Sequence, residues 1–280
     1  MKRFLTLFFV FLVMTQQCQA WSWKDLSSDE RAIERVLKSQ VKYANRTNFK
    51  KFISTYDSNY VNSDGFNLEI YSKLIKDIWN TYDDIKYFVE IKKITVNNNK
   101  AVVELTEKSF AEINMLKGYN GELKSTAESI YYLQKTDNKW KVISDTVLDE
   151  TTSMLYGEAK DLEITLSVPN TIESNKEYCA TLEFTPPQNT IAIASIASDI
   201  VEYPQKPTEE IFRALPEDNI LERLFTSNSK NANEYVVASI GLTKTAVDDL
   251  TIKLSLTGFG YAIKRVNVIH EISGENNVKD

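Results

Sequence analysis

The sequence predicts an α+β fold in which a part with helices and then strands is followed by a part made almost entirely of strands. Apolar residues recur every three to four positions up to about residue 82 and alternate with polar residues after about residue 85. A break at 153–160 separates two groups of predicted strands. A chain of 280 residues, 42% of them hydrophobic, is long enough to build two cores of this kind.

The first 20 residues have the three-part order of a secretory signal peptide. Lys2 and Arg3 precede an apolar run over residues 4–14, and polar residues follow up to Ala20. The run is shorter than the roughly 20 residues that a membrane-spanning helix needs. We therefore expect cleavage after Ala20 and export to the periplasm or the cell exterior, with no membrane span in the mature chain. An uncleaved anchor and a lipid anchor at Cys18 are the alternatives.

Removal of the leader changes both the charge and the cysteine content. The formal net charge shifts from −6 to −8 because Lys2 and Arg3 are lost. A net-negative chain without a dense Lys/Arg cluster argues against nucleic acid as the main partner. Cys18 also leaves, so Cys179 remains as a lone thiol and no intrachain disulfide can form. We expect Cys179 to be buried as a small apolar side chain, since its neighbours alternate between apolar and polar.

Three helices are predicted before residue 84. Ser27 and Glu30 have the spacing of a capping box, and the apolar residues between 33 and 44 then fall on one helical face. A second, short helix is predicted over 49–56. The third, over 68–82, has the clearest 3.6-residue apolar stripe.

The strands that follow are predicted to form a bent sheet. The alternation slips between Ile91 and Ile94, which is the effect of a β-bulge, and bulges bend sheets. A second strand begins at Ala101 and changes phase before Phe110. Residues 115–121 are then predicted to be a connection.

The next two strands are predicted to form a hairpin. Residues 123–135 and 139–148 flank Asp137-Asn138, a dipeptide that suits a two-residue turn. A uniform register from that turn would place Ile130 opposite Asp145.

Beyond residue 160 the pattern is nearly all strand, and six or so strands at this spacing suggest a β-sandwich over 158–272. Short helical turns are expected at 209–214 and 217–225, within a segment punctuated by proline. The polar tail at 273–280 is expected to be disordered. The predicted strands cover 162–168, 178–184, 191–201, 235–242, 250–256 and 261–269.

Three helices followed by four long strands in a bent antiparallel sheet resembles the cone-shaped α+β fold of the nuclear-transport-factor-two-like superfamily. The resemblance spans residues 27–156 and includes the stretch Asn138-Lys139-Trp140-Lys141-Val142-Ile143, which looks like the final-strand pattern of that family. It implies a cone-shaped domain over 21–157. Members include isomerases, dehydratases, ligand carriers and structural adaptors, so it implies a fold and not one function.

The second part resembles an immunoglobulin-like sandwich more loosely, by strand count alone. Residues 161–270 lack the paired cysteines and the central tryptophan of true immunoglobulin domains.

The cone fold implies a cavity between the helices and the concave face of the sheet. With Ile130 opposite Asp145, the side chains of Glu128, Tyr132 and Asp145 would share a face, and a desolvated carboxylate there could act as a general base. The alternative is that the carboxylates face solvent and that the aromatic residues are ordinary core. The candidate ligand-binding residues are Tyr43, Tyr56, Trp79, Glu128, Tyr132 and Asp145.

Motifs for most catalytic chemistries are missing. His270 is the sole histidine, so catalytic triads and histidine-rich metal sites lack the residues they need. The glycines are too scattered for a phosphate loop or a dinucleotide fingerprint, and the oxygen-rich stretch 57–65 does not match a calcium loop. We therefore assign no catalytic residue, no metal and no cofactor.

The preferred interpretation is an exported, non-catalytic protein that binds a small molecule or a protein. One alternative is a cofactor-independent isomerase or hydro-lyase that uses Glu128 or Asp145 as its base. Another is a structural protein of the cell envelope that associates through its open sheet face, for example as a homodimer.

Overall fold

The computed structural model describes residues 26–270, except 117, 207, 249 and 250. The predicted leader with Cys18 and the predicted tail at 273–280 lie outside the described residues. Within the described part, no helix combines the length and the apolar character that a membrane crossing requires. The structure confirms the α+β class, since three helices lead into long, mainly antiparallel strands.

The helices begin where their capping residues predict. The capping box is present: the Ser27 hydroxyl accepts a hydrogen bond from the Glu30 N–H at 3.2 Å, and the Glu30 carboxylate accepts one from the Ser27 N–H at 2.6 Å. The Asn67 side chain caps the third helix by accepting from the N–H of Ile70 at 3.0 Å. The three helices are α1 (Ser28–Ala44), α2 (Phe49–Ile53) and α3 (Leu68–Thr81).

Four long strands form the sheet beneath the helices: β1 (Lys86–Asn97), β2 (Lys100–Leu116), β3 (Tyr119–Thr136) and β4 (Lys139–Gly157). The predicted bulge is confirmed, because the pairing of β1 with β2 shifts between Ile91 and Lys93. The predicted hairpin turn is confirmed as well: Asp137 and Asn138 have positive φ angles of 49° and 59°, as a two-residue turn of this kind requires.

Two expectations for β2 are wrong. The strand keeps one phase, so that its odd-numbered residues from Ala101 to Ile113 face inward, and Phe110 lies on the outer face with 36% of its surface exposed. The predicted connection at 115–121 is instead mostly strand, because β2 continues to Leu116 and β3 begins at Tyr119. The outward-facing Phe110 accounts for the apparent change of face in the sequence pattern.

In the described residues after β4, the regular elements are strands and one 3-10 helix at Glu158–Asp161. The helical turns expected at 209–214 and 217–225 are wrong. Residues 213–214 and 220–226 form strands instead, because pairing with distant strands overrides local preference; Leu221, for example, pairs with Leu182. The strands are β5 (Thr165–Ser167), β6 (Thr171–Glu173), β7 (Glu177–Glu183), β8 (Ile191–Ile200), β9 (Arg213–Ala214), β10 (Ile220–Thr226), β11 (Glu234–Asp248) and β12 (Thr251–Ile269).

The two halves of the chain share one sheet. Its strand order is β1-β2-β3-β4-β12-β11-β8-β9, with the short β6 also pairing with β12. Residues 258–264 of β12 pair with residues 151–157 of β4, so β12 joins the halves. It is a single strand, although two strands were expected at 250–256 and 261–269. A second sheet, β10-β7-β5, packs over β8, β11 and β12 around a separate core. One layer of the expected sandwich is thus an extension of the first sheet, and the division into two domains stays a prediction.

Close backbone approach and a buried ion pair mark the junction. At Gly258 a Cβ atom would lie 2.5 Å from the backbone nitrogen of Ala159. Arg265 of β12 is 1% exposed and binds Asp64, in the loop before α3, through both of its terminal nitrogens. The loop that precedes α3 is therefore held to the second half of the chain.

Cys179 is exposed, which contradicts the expectation that it is buried. It belongs to β7, where Tyr178 and Ala180 take the inward positions. Because successive side chains of a strand alternate between its faces, Cys179 is left on the outer one.

Candidate functional site

A cavity of about 150 Å³ lies between the helices and the concave face of the sheet. Side chains spaced three or four apart on α1 and four apart on α3 enter it from above. Alternate side chains of β1, β2 and β3 enter it from below. The helices supply Leu37, Gln40, Val41, Ala44, Tyr71, Ile75 and Trp79, and the strands supply among others Tyr87, Val89, Leu105, Glu107, Ser109, Ser125, Ala127 and Tyr131.

Glu107 provides a carboxyl group on the cavity wall. The Tyr131 hydroxyl donates to its Oε1 at 2.9 Å, and the Ser129 hydroxyl donates to its Oε2 at 3.0 Å. Burial raises the pKa of Glu107 to about 7; the two hydrogen bonds oppose this shift, and the nearby charge of Asp145 adds to it. A carboxyl group with this pKa can take up or release a proton near neutral pH.

Glu107 was missed by the sequence reasoning, although a signal was present. It continues the alternation of Ala101, Val103 and Leu105, and the same odd-numbered positions remain inward up to Ile113. The phase change expected before Phe110 concealed this.

Gln40, in the wall of the same cavity, carries a buried hydrogen-bond donor without a partner. Its side chain is 6% exposed, and its Nε2 has no hydrogen-bond partner. Leaving a buried donor unsatisfied costs about 1–3 kcal/mol. A ligand that offers an acceptor oxygen would recover that free energy.

Aromatic side chains form much of the remaining wall. Trp79 Nε1 donates to the Tyr87 hydroxyl at 3.1 Å, and the hydroxyls of Tyr56 and Tyr71 are also 3.1 Å apart. Burial raises the pKa of Tyr87 to about 12 and that of Tyr56 further, so both phenols are neutral at ordinary pH. The ring of Phe52 packs edge-on against Trp79 with 5.5 Å between centroids.

Asp145 lies behind this wall and does not line the cavity. Its buried carboxylate accepts a hydrogen bond from the Tyr60 hydroxyl, and the Tyr60 ring packs against Tyr56 at 5.0 Å between centroids. Burial raises the pKa of Asp145 to about 6, with a further increase from Asp64 and a decrease from Arg265. Across the ranges that the structure describes, no group of three or more His, Cys, Asp or Glu side chains is arranged to hold a metal ion.

The predicted site residues separate into two groups. Tyr56 and Trp79 line the cavity, and Asp145 is adjacent to it through Tyr60. Glu128 is exposed on the outer face, where its carboxylate binds Lys92 at 2.7 Å.

Tyr43 and Tyr132 also lie away from the cavity. Tyr43 faces a separate surface groove beside Trp140, because the helical period places it about a quarter of a turn from the Gln40–Ala44 face of α1. Tyr132 alternates with the inward-facing Tyr131 and so points to the opposite side of β3.

A bulge in β4 explains why the expected shared face is wrong. Leu133 pairs with Val142, but Tyr132 pairs with Ser144, so that Ile143 is an extra residue in β4. Asp145 consequently pairs with Tyr131 and not with Ile130. A slip of one residue moves a side chain to the other face of a sheet, which separates Asp145 from Glu128 and Tyr132.

Comparison with known proteins gives matches at the level of structure. No protein-family model matches the chain, and no curated protein matches it either. Bd1075 of Bdellovibrio bacteriovorus is 16% identical over 44% of this chain and 44% of its own, with a TM-score of 0.36. A protein of the NTF2-like family from Streptomyces avermitilis is 15% identical over 43% of this chain and 95% of its own, with a TM-score of 0.35. A SnoaL-like polyketide cyclase from Agrobacterium tumefaciens is 13% identical over 41% and 89%, with a TM-score of 0.29.

Proposed function

We propose that this chain is an exported binding protein that holds a small, largely apolar molecule in the cavity beneath α1 and α3. The proposal depends on one observation above all: Gln40, in the mainly apolar wall of the cavity, has a buried Nε2 without a hydrogen-bond partner. A few polar groups among apolar and aromatic side chains are typical of small-molecule sites. The leader-like N-terminus motivates the export part of the proposal.

Trp79 offers a direct reporter for this proposal. Its indole N–H donates to Tyr87 on the cavity wall, so a bound molecule should shift its NMR signal. We would screen single-ring compounds against the ¹⁵N-labelled mature chain and assign the indole signal with Trp79→Phe.

Ala127→Leu is the control variant, since Ala127 lines the cavity and the larger side chain would occupy it. We expect shifts at Trp79 in the wild type that Ala127→Leu abolishes. Shifts that persist in this variant, or the absence of any shift across the panel, would refute binding in the cavity.

A second candidate function is a cofactor-independent isomerase or hydro-lyase with Glu107 as general base. The pKa of about 7 favours it, because a base works best when its pKa is close to the working pH. Glu107 would take a proton from the carbon next to a substrate carbonyl while Gln40 Nε2 donates to the carbonyl oxygen. Return of the proton to another carbon gives isomerisation, and its transfer to a departing hydroxyl releases water.

Hydrogen–deuterium exchange distinguishes catalysis from binding alone. An aryl ketone that binds the cavity would exchange its α-hydrogens in D₂O faster with the protein present than without it. Glu107→Gln should abolish this acceleration, whereas Glu128→Gln, on the outer face, should not. If the protein does not accelerate the exchange, or if Glu107→Gln accelerates it as much as the wild type does, the enzyme hypothesis is wrong. The binding function would then remain.

A further inference from the structure

We infer that the cavity selects a ligand that carries an ammonium group on a single ring, because the Glu107 carboxyl lies on the wall of this small cavity among aromatic side chains. This inference rests on the proposed binding function and adds the chemical class of the ligand. Three features support it: the charges around Glu107, the aromatic side chains of the cavity wall and the volume of the cavity.

Among the residues that the structure describes, Glu107 has no cationic hydrogen-bond or ion-pair partner. Its two hydrogen-bond donors are the neutral hydroxyls of Tyr131 and Ser129. The charged groups that act on it are Asp145 and Glu150, both negative. Lys108 also borders the cavity, but it neighbours Glu107 on β2, is exposed, and so belongs to the opposite face of the strand. A ligand cation would supply the missing positive charge.

Aromatic side chains in the cavity wall can contribute to the binding of a cation. Phe52 packs edge-on against Trp79, and the rings of Tyr56 and Tyr71 have centroids 5.2 Å apart. The face of an aromatic ring is negative, and such rings attract ammonium groups within about 6 Å. A ligand carboxylate would instead be repelled by the ionised Glu107 carboxylate, which disfavours anions.

The volume limits the rest of the ligand. A cavity of about 150 Å³ lined by apolar side chains is large enough to hold a benzene ring. A ring with an aminomethyl group is therefore a fitting probe. Benzylamine, benzyl alcohol and benzoate share that ring and differ in charge, which makes them a matched set.

Binding of an ammonium probe should depend on pH through Glu107. Between pH 6 and pH 8 this carboxyl passes from mostly protonated to mostly ionised, since its pKa is about 7. The affinity for benzylamine, which stays protonated over this range as a lysine side chain does, should rise about tenfold. The other ionisable groups that face Glu107 or border the cavity with it are Asp145, Glu150, Tyr56, Tyr71, Tyr87, Tyr131 and Lys108.

Asp145, with a pKa of about 6, is the neighbour that titrates closest to this window. Its ionisation would raise the affinity for a cation mainly below pH 6.5. Glu107→Gln separates the two groups, because any pH dependence that Asp145 causes would persist in that variant.

The experiment titrates the three probes at pH 6 and pH 8 and follows the indole N–H signal of Trp79. We expect benzylamine to bind at least tenfold more tightly than benzyl alcohol at pH 8, and benzoate most weakly. Glu107→Gln should remove the preference for benzylamine over benzyl alcohol, while Glu128→Gln, on the outer face, should behave as the wild type.

Each result has one meaning. If benzyl alcohol binds and benzylamine binds no better, or if benzoate binds best, the ammonium inference is overturned and the binding function stands. If none of the three shifts Trp79, the inference and the proposed function both fail for ligands of this size. A benzylamine preference that survives in Glu107→Gln would also overturn the inference.

Discussion

Arg265 and Asp64 form a bidentate ion pair across 201 positions of the chain, with Nη1–Oδ2 at 3.2 Å and Nη2–Oδ1 at 2.5 Å. The Arg265 side chain is 1% exposed and that of Asp64 is 7% exposed. Asp145 and Glu150 also interact with Arg265, so one buried cation offsets several buried carboxylates. The pair fastens the loop before α3 to the strand that joins both halves of the fold.

Asp64→Asn should destabilise the protein strongly. Removing one partner of a buried pair leaves the other charge uncompensated, which costs about 3–5 kcal/mol. Urea unfolding would measure the loss. Glu69→Gln is the control, because Glu69 pairs with Lys73 on the exposed side of α3 at 2.7 Å and such a pair contributes less than about 1 kcal/mol. If both variants lost the same free energy of unfolding, the buried pair would contribute no more to stability than the exposed pair does.

Glu107 should make the protein less stable as the pH rises. Its pKa is about 7 in the folded state against 4.5 for an unperturbed glutamate, so the folded state binds more protons than the unfolded state between these values. The free energy of unfolding therefore falls through this window, by about 3 kcal/mol from this group.

Unfolding of the wild type and of Glu107→Gln at pH 4 and pH 8 isolates this contribution. We expect the wild type to lose about 3 kcal/mol relative to the variant over that range. Glu128→Gln should show no comparable change, since Glu128 is exposed and paired with Lys92. Parallel pH curves for wild type and Glu107→Gln would mean that Glu107 does not titrate as proposed.

Gln40→Leu should stabilise the protein and weaken ligand binding together. The change removes the unpartnered Nε2, whose burial costs about 1–3 kcal/mol, and replaces it with an apolar group of similar size. It also removes the donor that a ligand oxygen would use. Thermal unfolding and probe titration would measure the two effects. The exposed Gln134→Leu should change neither, and a loss of stability in Gln40→Leu would indicate that the amide has a structural role.

Gly258→Ala should destabilise the junction between β4 and β12. The added Cβ would lie 2.5 Å from the backbone nitrogen of Ala159, which cannot move aside as a flexible side chain can. Overpacking of this kind costs about 1–3 kcal/mol. Gly241→Ala is the matched control, because its Cβ would meet only the Ile193 side chain, at 3.2 Å. We expect urea unfolding to give a clearly lower free energy of unfolding for Gly258→Ala than for Gly241→Ala. The reverse order would contradict the predicted clash.

Local signals in the sequence predicted the helices and the hairpin, because Ser27, Glu30 and the Asp137-Asn138 turn act through neighbouring residues. The site was predicted less well. Tyr56 and Trp79 follow from helical and aromatic patterns, but the bulge at Ile143 depends on contacts from elsewhere in the chain.

The segment after α2 illustrates such contacts. Its backbone forms hydrogen bonds with β4 at the bulge. The N–H of Val61 donates to the Ile143 carbonyl at 3.3 Å, and that of Ser63 donates to the Asp145 carbonyl at 2.9 Å. No spacing within β4 predicts this pairing. The union of β4 with β12 is equally remote, which is why the second half was expected to be a separate sandwich.

The pairing of β4 with β12 also affects the order in which the sheet can form during synthesis. A ribosome makes about 5–20 residues per second, so roughly 5–20 s separate the synthesis of Gly157 from that of Gly258, its partner in β12. During that interval the outer edge of β4 over 151–157 has no strand to pair with, and open edges invite pairing with other chains. The junction can form only after residues 258–264 have been made, so this edge of β4 stays unpaired until then.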